Sequence, residues 1–267
     1  MRRLDGRKRQ RLARVHGVLQ RISCESENPV KASDACGCSR DGSLSSYADK
    51  SRSTFTRMID ASTRARLDAL LGHGGRIILG IAGLPGSGKS TLASQVLATY
   101  PDIAVNVPMD GFHLANAELR RLGRASRKGA PDTFDASGYV ALLRRLREPI
   151  EGETVYAPAF HREIEEPIAG EIAVTSDVRL VVTEGNYLLM EEGAWADVRP
   201  LLDETWFVDV DDARRHAQLL ERHMRFGRSR QAALDWIETT DEPNARRIAA
   251  TAHRADFRAR TLPLESA

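Results

Sequence analysis

Cysteine is scarce in this 267-residue chain, and long apolar runs are missing altogether. The three cysteines, Cys24, Cys36 and Cys38, are odd in number, form no Cys-x-x-Cys pair and cluster near the N-terminus. This argues against a disulfide framework, and a zinc site would have to borrow a fourth ligand from elsewhere. No stretch approaches the roughly 18 apolar residues that span a bilayer, and the N-terminal segment lacks the apolar centre of a secretory signal. A cytoplasmic protein with no membrane partner is therefore expected. Excess charge is missing too: the net charge is +2. It is unevenly spread, because Arg2, Arg3, Arg7, Lys8, Arg9, Arg11 and Arg14 face only Asp5 in the first fourteen residues. That segment carries +6, which leaves −4 for the remainder and no electrostatic case for nucleic acid as a partner.

Residues 1–53 are polar, rich in Arg and Ser, and poor in large apolar groups. Such a segment cannot offset its ordering entropy, so it is predicted to be disordered, with one folded domain over 54–267. An organelle-targeting presequence shares its Arg and Ser bias, but Asp5, Glu25 and Glu27 weigh against that reading.

What is present is a phosphate-cradling loop. Residues 83–90 read GLPGSGKS and fit GxxxxGK[ST], between a β-branched run at Arg76–Ala82 and a helical pattern at Thr91–Tyr100. Gly83, Gly86 and Gly88 let the backbone around Ser87 turn its N–H groups toward one point, where the helix N-terminus starting near Thr91 adds partial positive charge. Lys89 can then reach the β- and γ-phosphates and the Ser90 hydroxyl can hold Mg²⁺. A nucleoside triphosphate, taken as ATP, and Mg²⁺ are the expected cofactors.

The domain should open with a helix capped by Thr54, with Phe55, Met58, Ile59, Leu67, Leu70 and Leu71 on one side and Gly72 as its stop. Strands are predicted at Ile103–Met109, Thr154–Ala157, Arg179–Glu184 and Thr205–Val210. Helices are predicted at Ser137–Arg147, Asp212–Phe226, Ser229–Thr239 and Asn244–His253. The alternation implies an α/β fold, with a mostly parallel sheet covered by helices on both faces. In such a sheet ligands bind beyond the carboxyl ends of the strands, which delivers Asp110 and Glu184 to the edge that carries the loop. Asp110 is the candidate base for an attacking hydroxyl, against the alternative of a simple Asp-Gly turn. Glu184 can meet the metal.

The loop, PMDGFH at Pro108–His113, RKGAPDTFD at Arg127–Asp135, VYAPAFHRE at Val155–Glu163, VVTEGNYLL at Val181–Leu189 and DEPNAR at Asp241–Arg246 together resemble the P-loop kinase family of uridine kinases, bacterial pantothenate kinases and phosphoribulokinases. The similarity spans about residues 76–255 and is nearest to a fructokinase-like or nucleoside-kinase-like branch. It implies a P-loop NTPase three-layer αβα fold with a helical lid near 212–230. It implies an ATP-dependent phosphotransferase acting on an alcohol of a small metabolite, such as pantothenate, a nucleoside or a sugar. Asp110 matches the family's catalytic aspartate, and Glu184 matches its Mg²⁺-supporting acid. Arg222, Arg225 and Arg228 resemble lid arginines that close over the triphosphate, against a solvated basic face as the plain alternative. Asn244 is assigned to the nucleotide. Phe112, His113, Tyr156, Phe160, His161 and Arg162 are assigned to the acceptor pocket, where Arg162 suits a carboxylate or phosphate. A homodimer is compatible with the family, and the oligomeric state stays open. Two other classes are weighed: a nucleotide-switched regulator, which lacks the base-reading NKxD motif, and a catalytically silent ATP-binding scaffold, against which the pair Lys89 and Asp110 argues.

Overall fold

The computed structural model describes residues 59–260. The proposed leader at 1–53 and the predicted cap at Thr54 lie outside them. Helix α1 (Ala61–Gly72) starts later than expected because Asp60 caps it, its carboxylate accepting from the backbone N–H groups of Ser62 and Thr63. The sheet strands are β1 (Ile77–Gly83), β2 (Ala104–Asn106), β5 (Leu180–Gly185), β6 (Glu204–Asp209) and β7 (Phe257–Arg260). They lie in the order β2-β5-β1-β6-β7, and every pairing is parallel.

Alternate residues of β1 enter two separate cores, which is how a buried parallel strand serves both faces. Ile77, Leu79 and Ile81 meet Leu67 and Leu71 of α1, and Leu92 and Val96 of α2 (Lys89–Thr99). Ile78 and Ala82 join the core that holds Tyr139, Leu143 and Leu146 of α4 (Ala136–Arg147), and Ile248 of α7 (Glu242–Ala250). The result is three layers, helix on sheet on helix. The remaining helices are α3 (Asn116–Arg121), α5 (Asp212–Arg225) and α6 (Arg230–Trp236), with a π-helical turn at Ile237–Asp241 joining α6 to α7.

Three features depart from the sequence reading. The strand expected to run through Met109 stops at Asn106: Val107 donates the last rung to Val182, and Pro108 has no N–H to continue it. Met109–Phe112 then forms a 3₁₀ turn. The short strand expected at Thr154–Ala157 runs on as β3 (Thr154–His161) and pairs antiparallel with β4 (Glu166–Thr175), a hairpin apart from the main sheet. Strand β7 was not anticipated.

Candidate active site

The loop Gly83–Ser90 joins β1 to α2, and Gly88, at φ +90°, caps the helix. Gly86 is needed twice: its φ is +78°, and a Cβ there would sit 2.7 Å from Leu219 and 3.0 Å from the Arg215 carbonyl of α5. Ser87 is buried, and its hydroxyl has no partner. Thr91 stands half-buried in the first turn of α2. Lys89 is buried, and its Nζ donates to the carbonyls of Gly83 and Leu84 at 3.0 and 2.9 Å. Burial pushes its pKa down to about 8, against the opposing pull of Glu184 and Asp110.

Asp110 enters from the 3₁₀ turn beyond β2 rather than from a strand end. The turn is fixed from two sides. Met109 packs so closely on Gly185 that a Cβ there would lie 2.6 Å from the methionine Cβ, and a Cβ on Gly111 would strike the Pro158 carbonyl of β3 at 2.2 Å. The Asp110 carboxylate accepts from Arg162 Nη2 at 3.0 Å. Glu184 is the next-to-last residue of β5, and its Oε1 accepts from the Ser90 hydroxyl at 2.8 Å. The two carboxylates are pushed in opposite directions. Burial would raise Asp110, but the cationic groups around it, Arg162, Lys89 and Arg222 among them, hold it below the usual carboxylate range. Burial and the Asp110 charge raise Glu184. Asp110 is thereby kept ionised, and a cation beside Glu184 would be favoured.

These groups share one cavity of about 490 Å³, within the range of small-molecule sites. Lys89, Ser90, Glu184, Asp110, His113, Phe160, Arg162, Arg222, Arg228 and Asn244 all line it. Ring stacking at 3.9 Å on Phe134 and 4.5 Å on Phe160 holds His113. Its Nδ1 lies 2.8 Å from the Asp110 carbonyl, which can only accept, so Nδ1 carries the proton and Nε2 is left as an acceptor. Burial lowers the pKa of His113 and favours this neutral ring. Arg222 is half-buried, with its Nε unpartnered. Arg228 lies past Gly227 and returns over Trp236, 4.0 Å from the ring centroid.

Of the residues predicted for catalysis and the acceptor pocket, four do not line the cavity, and neither do the predicted loop residues Gly83, Gly86, Ser87, Gly88 and Thr91. Arg225 is exposed and paired with Glu221 one turn back on α5. On β3 the side chains alternate, so with Phe160 and Arg162 turned inward, His161 faces away and binds Glu171 across the hairpin at 2.6 Å. Tyr156 is 59% exposed. Phe112 packs on Tyr139, with ring centroids 5.2 Å apart. Conversely, Asn116, Lys128, Asn186, His223, Trp236 and Asp241 line the cavity and were not singled out as site residues. His223 Nε2 and Asp241 Oδ2 are 2.7 Å apart in its wall. Lys128 belongs to the RKGAPDTFD stretch, and that was the available signal.

Ser90 and Glu184 offer a hydroxyl and a carboxylate already in contact, and burial together with the Asp110 charge raises the pKa of Glu184, so a cation beside it would be favoured. This donor chemistry fits Mg²⁺, which takes few protein ligands and fills its shell with water and phosphate oxygens. No group of three or more His, Cys, Asp or Glu is placed to hold a metal among the described residues.

Residues 78–266 match the phosphoribulokinase / uridine kinase family. A Schizosaccharomyces pombe protein provisionally named a uridine kinase is 35% identical over 167 residues, which cover 59% of this chain and 71% of that protein. YggC of Escherichia coli is 31% identical over 187 residues, covering 68% and 76%. A crystal structure from Silicibacter sp. TM1040, provisionally named a fructose transport system kinase, has 35% identity and a TM-score of 0.66, covering 73% of this chain and 97% of that one. The match over most of the described domain, together with the loop-bearing parallel sheet, places the chain in the phosphoribulokinase / uridine kinase family of P-loop kinases.

Proposed function

We propose that the protein transfers the γ-phosphate of ATP to a hydroxyl of a small metabolite, with Asp110 as the base. The observation that carries this reading is the placement of Asp110 across one cavity from Lys89 and Ser90. A triphosphate seated on the loop would draw Lys89 Nζ from the carbonyls of Gly83 and Leu84, and Arg222 and Arg228 would meet it from the far wall. Ser90 and Glu184 would hold Mg²⁺, which supplies charge neutralisation on the phosphates when bound. Asp110, held by Arg162, orients the acceptor hydroxyl and takes its proton late, when the hydroxyl has become acidic through bonding to phosphorus. A low pKa suits that role, because an ionised carboxylate is always ready to accept.

The test is an ADP-release assay with MgATP over hydroxylated metabolites: pantothenate, uridine, cytidine, fructose and related sugars. Turnover with one of them is expected. Asp110→Asn should lower kcat by about 10² to 10⁴ with ATP affinity nearly intact. An unchanged kcat removes Asp110 from the mechanism. MgATP binding without turnover of any hydroxylated acceptor makes the protein a scaffold.

A further inference from the structure

Beyond the loop, the cavity holds a second pair of cations. Lys128, from the segment between α3 and α4, and Arg162, just past the end of β3, both stand over Phe160, 5.1 and 5.9 Å from its ring centroid. The Lys128 side chain is only 12% exposed. Its ammonium donates to Asn116 Oδ1 at 2.8 Å and to the Glu165 carbonyl, so two of three N–H groups are spent. The Glu165 carboxylate is 3.8 Å away, too far for a hydrogen bond, and is itself 54% exposed. Lys128 lines the cavity, and its third donor has no carboxylate within hydrogen-bond distance. Arg162 has its one carboxylate partner in Asp110, which must also serve the acceptor hydroxyl. Burial is the main cause of the lowered His113 pKa, and both cations add to it, so they bear on one region of the wall.

Lys128 is largely withdrawn from water while the Arg162 side chain stays 37% exposed, and two cations beside one aromatic face favour an anion that meets both. We infer that Lys128 and Arg162, over the face of Phe160, form an anion-holding position for the acceptor, which is therefore a hydroxy acid or a phosphorylated polyol rather than a neutral sugar or nucleoside. This rests on the kinase reading only for the identity of the ligand as acceptor. The anion places one end of the molecule at Phe160 and presents a hydroxyl to Asp110, and the exposed Glu165 carboxylate swings aside. Lys128 is then a specificity residue.

The test uses the full chain in two assays. First, ADP release is compared within matched pairs: glycerate against glycerol, pantothenate against pantothenol, and fructose 6-phosphate against fructose. The anionic member of at least one pair is expected to exceed its neutral partner in kcat/KM by about 10² or more, since a site built for a charged group rejects the analogue without it. The carboxylate and phosphate arms tell the two anions apart. Lys128→Met should shrink that preference at least tenfold, chiefly through KM, and Lys128→Arg should keep most of it. Second, inorganic phosphate and acetate are titrated into protein saturated with Mg²⁺ and a non-hydrolysable ATP analogue, so that the loop is filled. At least one should bind, about tenfold more weakly in Lys128→Met. Anion binding that depends on Lys128 with no turnover would keep the site and sink the kinase reading. Turnover of neutral acceptors alone, or anion binding indifferent to Lys128, would overturn the site and leave the kinase standing.

Discussion

Lys89 is bonded only to carbonyls of its own loop, and burial brings its pKa to about 8. A triphosphate supplies opposite charge, which favours the ammonium and raises that pKa again. Free Lys89 is mostly neutral at pH 8.5, so binding MgATP there must take up a proton, whereas at pH 7 the lysine is already charged and contributes no uptake. Affinity should accordingly weaken as pH rises through about 8. Titration calorimetry at pH 8.5 in two buffers of different ionisation enthalpy checks this. The apparent enthalpies should differ in the sense of proton uptake, and Lys89→Arg, whose guanidinium keeps its charge at this pH, should remove the difference. Equal enthalpies in both buffers with the native lysine would mean that it enters the complex already protonated.

At the scale of elements, the edge strand β7 is tied to β6 by its ladder and, at its start, by the carboxylate of Asp256. Asp256 accepts from the N–H and hydroxyl of Thr205, both at 2.8 Å, and from Arg199 Nη2 at 2.8 and 2.9 Å. Burial alone would raise its pKa, but these donors hold it below the ordinary carboxylate value. Partial exposure limits the worth of the cluster, so Asp256→Asn should cost about 1 to 2 kcal/mol at pH 7. A depressed carboxylate gives stability that is present above its unfolded pKa, near 4, and is lost as pH falls through the folded value. The gap between native and variant in urea unfolding should therefore close in acid; a gap constant down to pH 3 would assign the effect to packing.

The same strand shows what was legible in the sequence. The buried runs of β1, β5 and β6 are continuous and apolar, so they and the loop after β1 could be read directly. In β7 only Ala259 is buried between exposed arginines, and in β4 one face meets water, so neither carries a strong periodic signal. Asp110 was found because a motif pointed to it, yet the turn that holds it depends on Pro158, 48 positions away in the chain and invisible to local spacing. His161 was misplaced because its strand was ended too early, which hid the alternation that turns Arg162 inward and His161 outward.

On the scale of the whole molecule, the cavity draws residues from the ends of β2 and β5, from the loop after β1 and from α5 to α7, so elements on both faces of the sheet converge on it. Gly86 ties the loop to α5 by direct backbone packing. A ligand that bridges these parts binds the folded state alone, and mass action then raises the unfolding temperature. At 100 times Kd the gain is about 2.7 kcal/mol, and each kcal/mol moves Tm by about 2 to 4 °C in a domain of this size, so MgATP should raise Tm by roughly 5 to 10 °C. Lys89→Met should abolish most of the shift, because it removes the cation at the phosphates and leaves the packing of β1 and α2 in place. Removing Mg²⁺ with a chelator should reduce the shift without abolishing it, since Glu184 and Ser90 then lose the cation while the loop still holds phosphate. The base specificity is read in the same experiment. A kinase reading requires a shift with MgATP at least as large as with MgGTP, whereas a clear preference for GTP would return the protein to the class of nucleotide-switched regulators despite the lack of an NKxD motif.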